Sequence, residues 1–204
     1  MPATTKRDSF VDIGRDARNS VAILIGVVAL FWLVELANTV LFGGSLSQWG
    51  VMPRTLQGLP GILIHPFLHS GASHLLSNTL GFLLLGGMVM LREPRDFWMV
   101  FALGTVVGGV GIWVLGRPGP HIGASGVVFA YFGYLLFTGL FERRVGSILL
   151  SVVTFLLWGR LLLGLSPLQR GISWEGHLFG LFGGIFGAWL HARRRMKRSG
   201  LTST

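Results

Sequence analysis

Apolar residues along this chain fall into six long runs, at about 20–42, 75–91, 97–116, 122–141, 145–165 and 174–192, rather than alternating with polar ones. Alternation would predict half-buried strands. Unbroken runs predict helices able to cross the ~30 Å hydrocarbon core of a bilayer, which takes roughly 20 residues. Most breaks between runs are short and polar, so successive helices are expected to be antiparallel neighbours. The connection at about 43–73 is far longer and carries Trp49, Arg54 and an apolar patch from Ile62 to Leu68. Such residues suit the outer membrane interface. The pattern predicts an all-α polytopic membrane protein with a polar lead-in at 1–19, a six-helix domain at 20–192 and a basic tail at 193–204. The first run exceeds the apolar core of a signal peptide, carries Glu35 and lacks a small-residue cleavage site, so it is expected to be a retained span.

Composition agrees, and charge adds an orientation. Of the 204 residues 51% are hydrophobic and 12% charged, where a soluble domain carries roughly a quarter charged. The 31 glycines fit helices that pack closely in lipid. Of the 17 Lys and Arg residues, 13 sit in the lead-in, in the breaks holding Arg92, Arg95, Arg143 and Arg144, and in the tail. The opposite side keeps only Arg54, Arg117, Arg160 and Arg170. The positive-inside rule then predicts both termini in the cytoplasm. The net charge of +9 would suit nucleic acid, but its distribution predicts anchoring at anionic lipid, with the bilayer as partner and no nucleic acid. The chain has no cysteine, which excludes disulfides, thiolate catalysis and thiolate metal sites.

Polar side chains inside a span are costly and mark function. Here they are Glu35, His74, Asn78, Ser125 and His177. At ~1.5 Å per residue, Ser125 stands ~25 Å above the cytoplasmic charge that ends its run and His177 ~24 Å above its own. Asn78 comes out at ~21 Å and His74 at ~27 Å. The four therefore converge a few Å below the outer surface.

Ser125 lies in Gly123-Ala124-Ser125-Gly126, after the turn-rich Arg117-Pro118-Gly119-Pro120. Four small residues can mean tight helix packing. They also leave a hydroxyl uncrowded at a helix start, beside backbone N–H groups that suit a developing oxyanion. His177 follows Trp174-Glu175-Gly176, and Gly176, Gly180, Gly184 and Gly187 give its helix a smooth face for close approach. A lone histidine there can simply bond a neighbouring carbonyl. A serine and a histidine at matched depth on glycine-faced helices instead predict a nucleophile and its general base. His74 and Asn78, spaced i, i+4, share one face and can donate toward the oxyanion, or mark a helix start capped by Ser73 or Ser77.

Elimination narrows the mechanism. Both lysines lie in the tails, no His-Glu-x-x-His occurs and all four aspartates lie outside the predicted spans. Glu175 points about 200° around the helix from His177. Glu35 reads as a hydrogen-bonding anchor for the first span or the long loop. A Ser125–His177 dyad without a third acidic member is expected.

These residues resemble the rhomboid family of intramembrane serine proteases over roughly 15–195. The resemblance rests on His74-x-x-x-Asn78, Gly123-Ala124-Ser125-Gly126 and His177 with Phe179-Gly180, in that order on the second, fourth and sixth spans. It implies a six-helix rhomboid-like bundle in the bacterial plasma membrane, with the site open to the outer side. Ser125 would be the nucleophile and His177 the base, with His74, Asn78 and the Ser125 N–H around the oxyanion. Gly123 and Gly126 would shape the nucleophile turn, and Phe129 would stack under His177. Trp49 and Arg54 stand near the family's first-loop Trp–Arg pair but are not adjacent here. The resemblance also implies no metal and no cofactor, and substrates that are single-span membrane proteins cut near the outer surface, after a small residue. Two other readings make different predictions. A pseudoprotease would lack Ser125 or His177, and a small transporter would place its polar residues at the bilayer midplane with repeat symmetry.

Overall fold

In the computed structural model the described residues are 6–169 and 171–198, excepting the side chains of 6–16 and 198. The ends of the lead-in and tail, Arg170, and the side chains of Lys6, Arg7, Arg15 and Arg198 lie outside the described set. Six principal helices follow one another: α1 (Lys6–Val40), α2 (Ala72–Arg92), α3 (Pro94–Leu115), α4 (Ser125–Glu142), α5 (Val145–Trp158, continued as a 3-10 helix over Gly159–Leu165) and α6 (Trp174–Arg198). No strand occurs among the described residues. Five helices are long and apolar enough to cross a membrane: Ala17–Val40 within α1, α2, α3, α4, and Val145–Leu165. α6 is 25 residues long, but Glu175, His177 and its five glycines dilute its hydropathy.

Local chemistry sets the boundaries. Glu93, which precedes Pro94, is held extended (φ −157°, ψ 105°) and ends α2, while Pro94 opens α3 without the need for an N–H partner. Arg143 takes a left-handed conformation (φ 54°) that closes α4. A π-helical stretch at Phe82–Gly86 interrupts α2, which a count of apolar positions does not foresee.

α4 is the central helix, buried along most of its length, with α3 and α6 against it. Glycine makes that approach possible. A β-carbon on Gly180 would strike the Gly126 carbonyl oxygen, and one on Gly184 the Ala130 carbonyl oxygen. One on Gly104 of α3 would stand 2.7 Å from the Ala130 β-carbon. α5 is peripheral and buries only Ser147 and Thr154. The aromatic core between α1, α2, α3 and α4 packs Phe31 edge-on to Phe82 (5.3 Å), Phe82 edge-on to Tyr131 (5.7 Å) and Phe97 stacked on Tyr131.

The long connection is folded. It contains 3-10 turns at Ser45–Trp49, Leu56–Gly58 and His65–Phe67 and a short helix at Gly61–Ile64. An antiparallel bridge between Val51 and His121 ties it to the segment before α4. Glu35 accepts from the Gly71 N–H (2.8 Å) and from Asn38 (3.3 Å), so it anchors the loop to α1. Arg54 (φ 58°) donates to the Val114 and Gly116 carbonyls at the end of α3. Trp49 is 62% exposed.

Candidate active site

Ser125 is the first residue of α4, and what precedes it decides where it points. Gly123 has φ +109°, a conformation side chains rarely adopt, and a β-carbon there would stand 2.6 Å from His74 Nε2 and 3.3 Å from Asn78 Nδ2. A glycine is therefore required for the turn to lie against α2. Two consecutive N–H groups of the turn are fixed by the long loop: Gly123 donates to the His65 carbonyl (2.9 Å) and Ala124 to His69 Nε2 (3.4 Å). The next N–H groups, of Ser125 and Gly126, begin the helix and have no intrahelical acceptor.

His177 lies in the first turn of α6, buried, with its ring stacked on Phe129 at 4.1 Å between centroids and 8° between planes. Its Nδ1 stands 2.9 Å from the Gly164 carbonyl. A carbonyl oxygen only accepts, so Nδ1 carries the proton and the neutral ring keeps its lone pair on Nε2. Gly164 permits this contact, because a β-carbon there would sit 3.0 Å from the Phe129 ring and 3.1 Å from His177 Nδ1.

His74 Nδ1 stands 3.1 Å from the Ser70 hydroxyl. With Ser70 donating, the neutral ring carries its proton on Nε2, the nitrogen that faces Gly123. Asn78 donates one amide hydrogen to the His74 carbonyl (3.1 Å), leaving the other toward the same turn. Ser125, His177, His74 and Asn78 all line one cavity of ≈ 830 Å³, with the Ser47, Ser70, Ser73 and Ser77 hydroxyls nearby. Around it, Gly123 packs against His74 and Asn78, Gly126 against Gly180, and Phe129 under the His177 ring. Among the described residues no group of three or more His, Asp or Glu is placed to hold a metal ion.

Some residues around this cavity were not singled out from sequence. His65 and His69 are buried under the serine turn, and burial pulls each ring's pKa down to about 4, with His74 adding to the effect on His69. Glu175, 1% exposed, takes Arg117 through its backbone N–H (3.2 Å) and Nε (2.9 Å), while Arg117 also donates to the Ile172 carbonyl. His121 reaches Ser173 (2.6 Å) and the Arg117 carbonyl (2.9 Å). The segment before Ser125 is thus bound to the segment before His177. Three histidines between 65 and 74 were a visible signal; Gly164, which acts through its carbonyl, gave none.

The fold and cavity define a helical membrane protein with a serine and an imidazole in one polar opening at an end of the bundle. The family model described as Rhomboid domain matches residues 56–194. The chain belongs to the rhomboid family, whose members are intramembrane serine proteases. It is 35% identical to an uncharacterized protein of Mycobacterium tuberculosis (strain ATCC 25618 / H37Rv), over 98% of this chain and 86% of that one. It is 33% identical to the putative rhomboid protease YdcA of Bacillus subtilis (strain 168), over 87% of this chain and 91% of that protein. Identity to the rhomboid protease GluP of the same organism is 29%, over 79% of this chain and 32% of that longer protein.

Proposed function

We propose that this chain is an intramembrane serine endopeptidase that cuts single-span membrane proteins near the outer surface with a Ser125–His177 dyad. The observation that carries the reading is the His177 tautomer: Nδ1 is spent on the Gly164 carbonyl, which leaves Nε2 as a base beside the cavity that Ser125 lines. His177 Nε2 takes the Ser125 proton as Oγ attacks the scissile carbonyl carbon. The oxyanion is met by the Ser125 N–H, His74 Nε2–H and the free Asn78 amide hydrogen. His177 returns the proton to the leaving amine as the C–N bond breaks, giving an acyl-enzyme that water, deprotonated by the same nitrogen, hydrolyses. Phe129 holds the imidazole plane, and Gly123 and Gly126 keep the turn and its helix in place.

α6 completes six spans in this reading, with 20–192 as the protease domain, a lead-in before it, a basic tail after it, and both termini in the cytoplasm. Segregation of charge supports the orientation: Arg92, Arg95, Arg144, Arg194 and Arg195 gather at the end of the bundle remote from Ser125. A substrate helix shields its peptide bonds with its own hydrogen bonds, so proline or glycine near the scissile bond should favour cleavage.

A fluorophosphonate probe tests the nucleophile apart from any substrate. Incubation of the purified protein should give one adduct on the peptide containing Ser125, lost in Ser125→Ala and strongly reduced in His177→Ala. Labelling of another serine, or unchanged labelling in His177→Ala, would contradict the dyad.

A further inference from the structure

At the opposite end of the bundle from Ser125 lies a second polar pocket, of ≈ 460 Å³. Four arginines from three separate parts of the chain line it: Arg95 in the first turn of α3, Arg144 in the link between α4 and α5, and Arg194 and Arg195 near the end of α6. All four are exposed. Two described carboxylates at this end of the bundle, Asp96 and Glu142, are held by several groups at once. Asp96 accepts from the Tyr134 hydroxyl (2.5 Å) and pairs with His191 Nδ1. Glu142 accepts from Ser147 (2.6 Å), pairs with Arg92 and lies 3.1 Å from His191 Nε2. Arg195 also pairs with Glu142 at 3.8 Å, and Arg194 donates to Met99 Sδ at 3.2 Å. Glu93 remains at the rim. The pocket thus sets four guanidinium groups around Asp96, which is buried and already satisfied by Tyr134 and His191.

A ring of planar, permanently charged forks on different helix ends matches the geometry of phosphate oxygens, which accept paired N–H bonds. Basic pockets between membrane helices on the cytoplasmic side hold anionic lipid headgroups. A spread of arginines serving only to orient the chain would need no cavity between them, and Arg193, one residue before Arg194, shows that alternative: its guanidinium stacks over Trp189 at 4.2 Å and does not line the pocket.

We propose that this pocket binds a phosphate group, as carried by an anionic phospholipid or by free inorganic phosphate, and that the bound phosphate ties the ends of α3, α5 and α6 together. The proposal rests on the topology proposed above only for which leaflet would supply the lipid.

The test uses the full-length protein in uncharged detergent, with thermal unfolding and native mass spectrometry as readouts and no cleavage step. A chain that binds but does not cleave would then count against the proposed activity alone. Cardiolipin or phosphatidylglycerol should raise the unfolding midpoint and remain bound in the gas phase, while phosphatidylcholine should do neither. The double variant Arg95→Gln/Arg194→Gln should need at least about tenfold more anionic lipid, a loss of about 1.4 kcal/mol across the two charge-assisted contacts together. Its midpoint without lipid should match the wild type, because both side chains are exposed. Arg193→Gln, with the same kind of charge change on the same helix end, should shift lipid binding less than about twofold, as expected for an exposed charge. Stabilisation by inorganic phosphate alone, with the same dependence on the variants, would assign the site to the soluble ion. No stabilisation by any phosphate, or an Arg193→Gln effect equal to the double variant's, would overturn the pocket.

Discussion

Residue by residue, the proposed catalytic chemistry is the part of this protein most open to sequence reading, because the proposed nucleophile, base and side-chain oxyanion donors are residue types with few other uses inside a membrane. Ser125, His177, His74 and Asn78 can be named from depth along three helices. The groups that orient them act through the backbone or by the absence of a side chain: the Gly164 carbonyl, the Gly123 turn and the carbonyl of His65. Nothing in a residue's type announces such a role. His65 also carries a pH dependence. Its ring, 2% exposed, stays neutral in the folded chain down to pH about 4, whereas an unfolded chain takes up that proton near 6.5. Between those values the unfolded state binds more protons, so stability should fall as pH is lowered from 6.5 toward 4 and be flat above that window. The effect amounts to at most roughly 3 kcal/mol for this ring. His69, held down to about 4 by its burial, acts in the same direction. Thermal unfolding from pH 7.5 to 4.5 should show the decline, and His65→Asn, which can still meet the Gly61 and Ile62 carbonyls, should flatten it. An identical slope in both proteins would contradict this account of His65.

Among the helices, the runs of apolar residues located every long element, since length in hydrocarbon is a demand that composition alone can meet. α6 is the instructive exception. Its glycines and polar residues lower its hydropathy because it packs against α4 and α3 rather than lipid. Where the backbone departs from a regular helix, as at the π-helical stretch in α2 and the 3-10 continuation of α5, the run of apolar positions had no pattern to reveal it. The seam between α4 and α6 makes a sharp prediction. Gly180→Ala places a methyl group against the Gly126 carbonyl, one residue from the nucleophile, and should cost about 1–3 kcal/mol of stability along with activity. Gly26→Ala in α1 meets nothing within 4 Å and should instead be stabilising by about 0.5–1 kcal/mol. Unfolding of both variants in detergent checks the pair, and a neutral Gly180→Ala would mean the helices are not in contact as described.

At the scale of the whole molecule, two polar centres occupy opposite ends of an apolar bundle. One is a cavity lined by Ser125 and His177, tied together by Arg117–Glu175 and His121–Ser173; the other is a charged layer joining Arg92, Asp96, Glu142 and His191. The basic residues of the second were legible as a topology signal, but their convergence on one pocket was not, because it depends on how four helix ends are arranged in space. The orientation is directly measurable, since the chain has no cysteine of its own. In intact cells a membrane-impermeant maleimide should label Leu168→Cys, in the exposed link before α6, and leave Lys197→Cys unlabelled until the cells are opened. The reverse pattern would invert the bundle.

The most direct test of the central claim is cleavage itself. Purified wild-type protein in detergent, given a single-span membrane substrate with proline or glycine near its outer boundary, should cut it at one site near that boundary. Ser125→Ala and His177→Ala should each abolish the cut while unfolding at a temperature close to that of the wild type. Cleavage that persists in either variant would contradict the dyad.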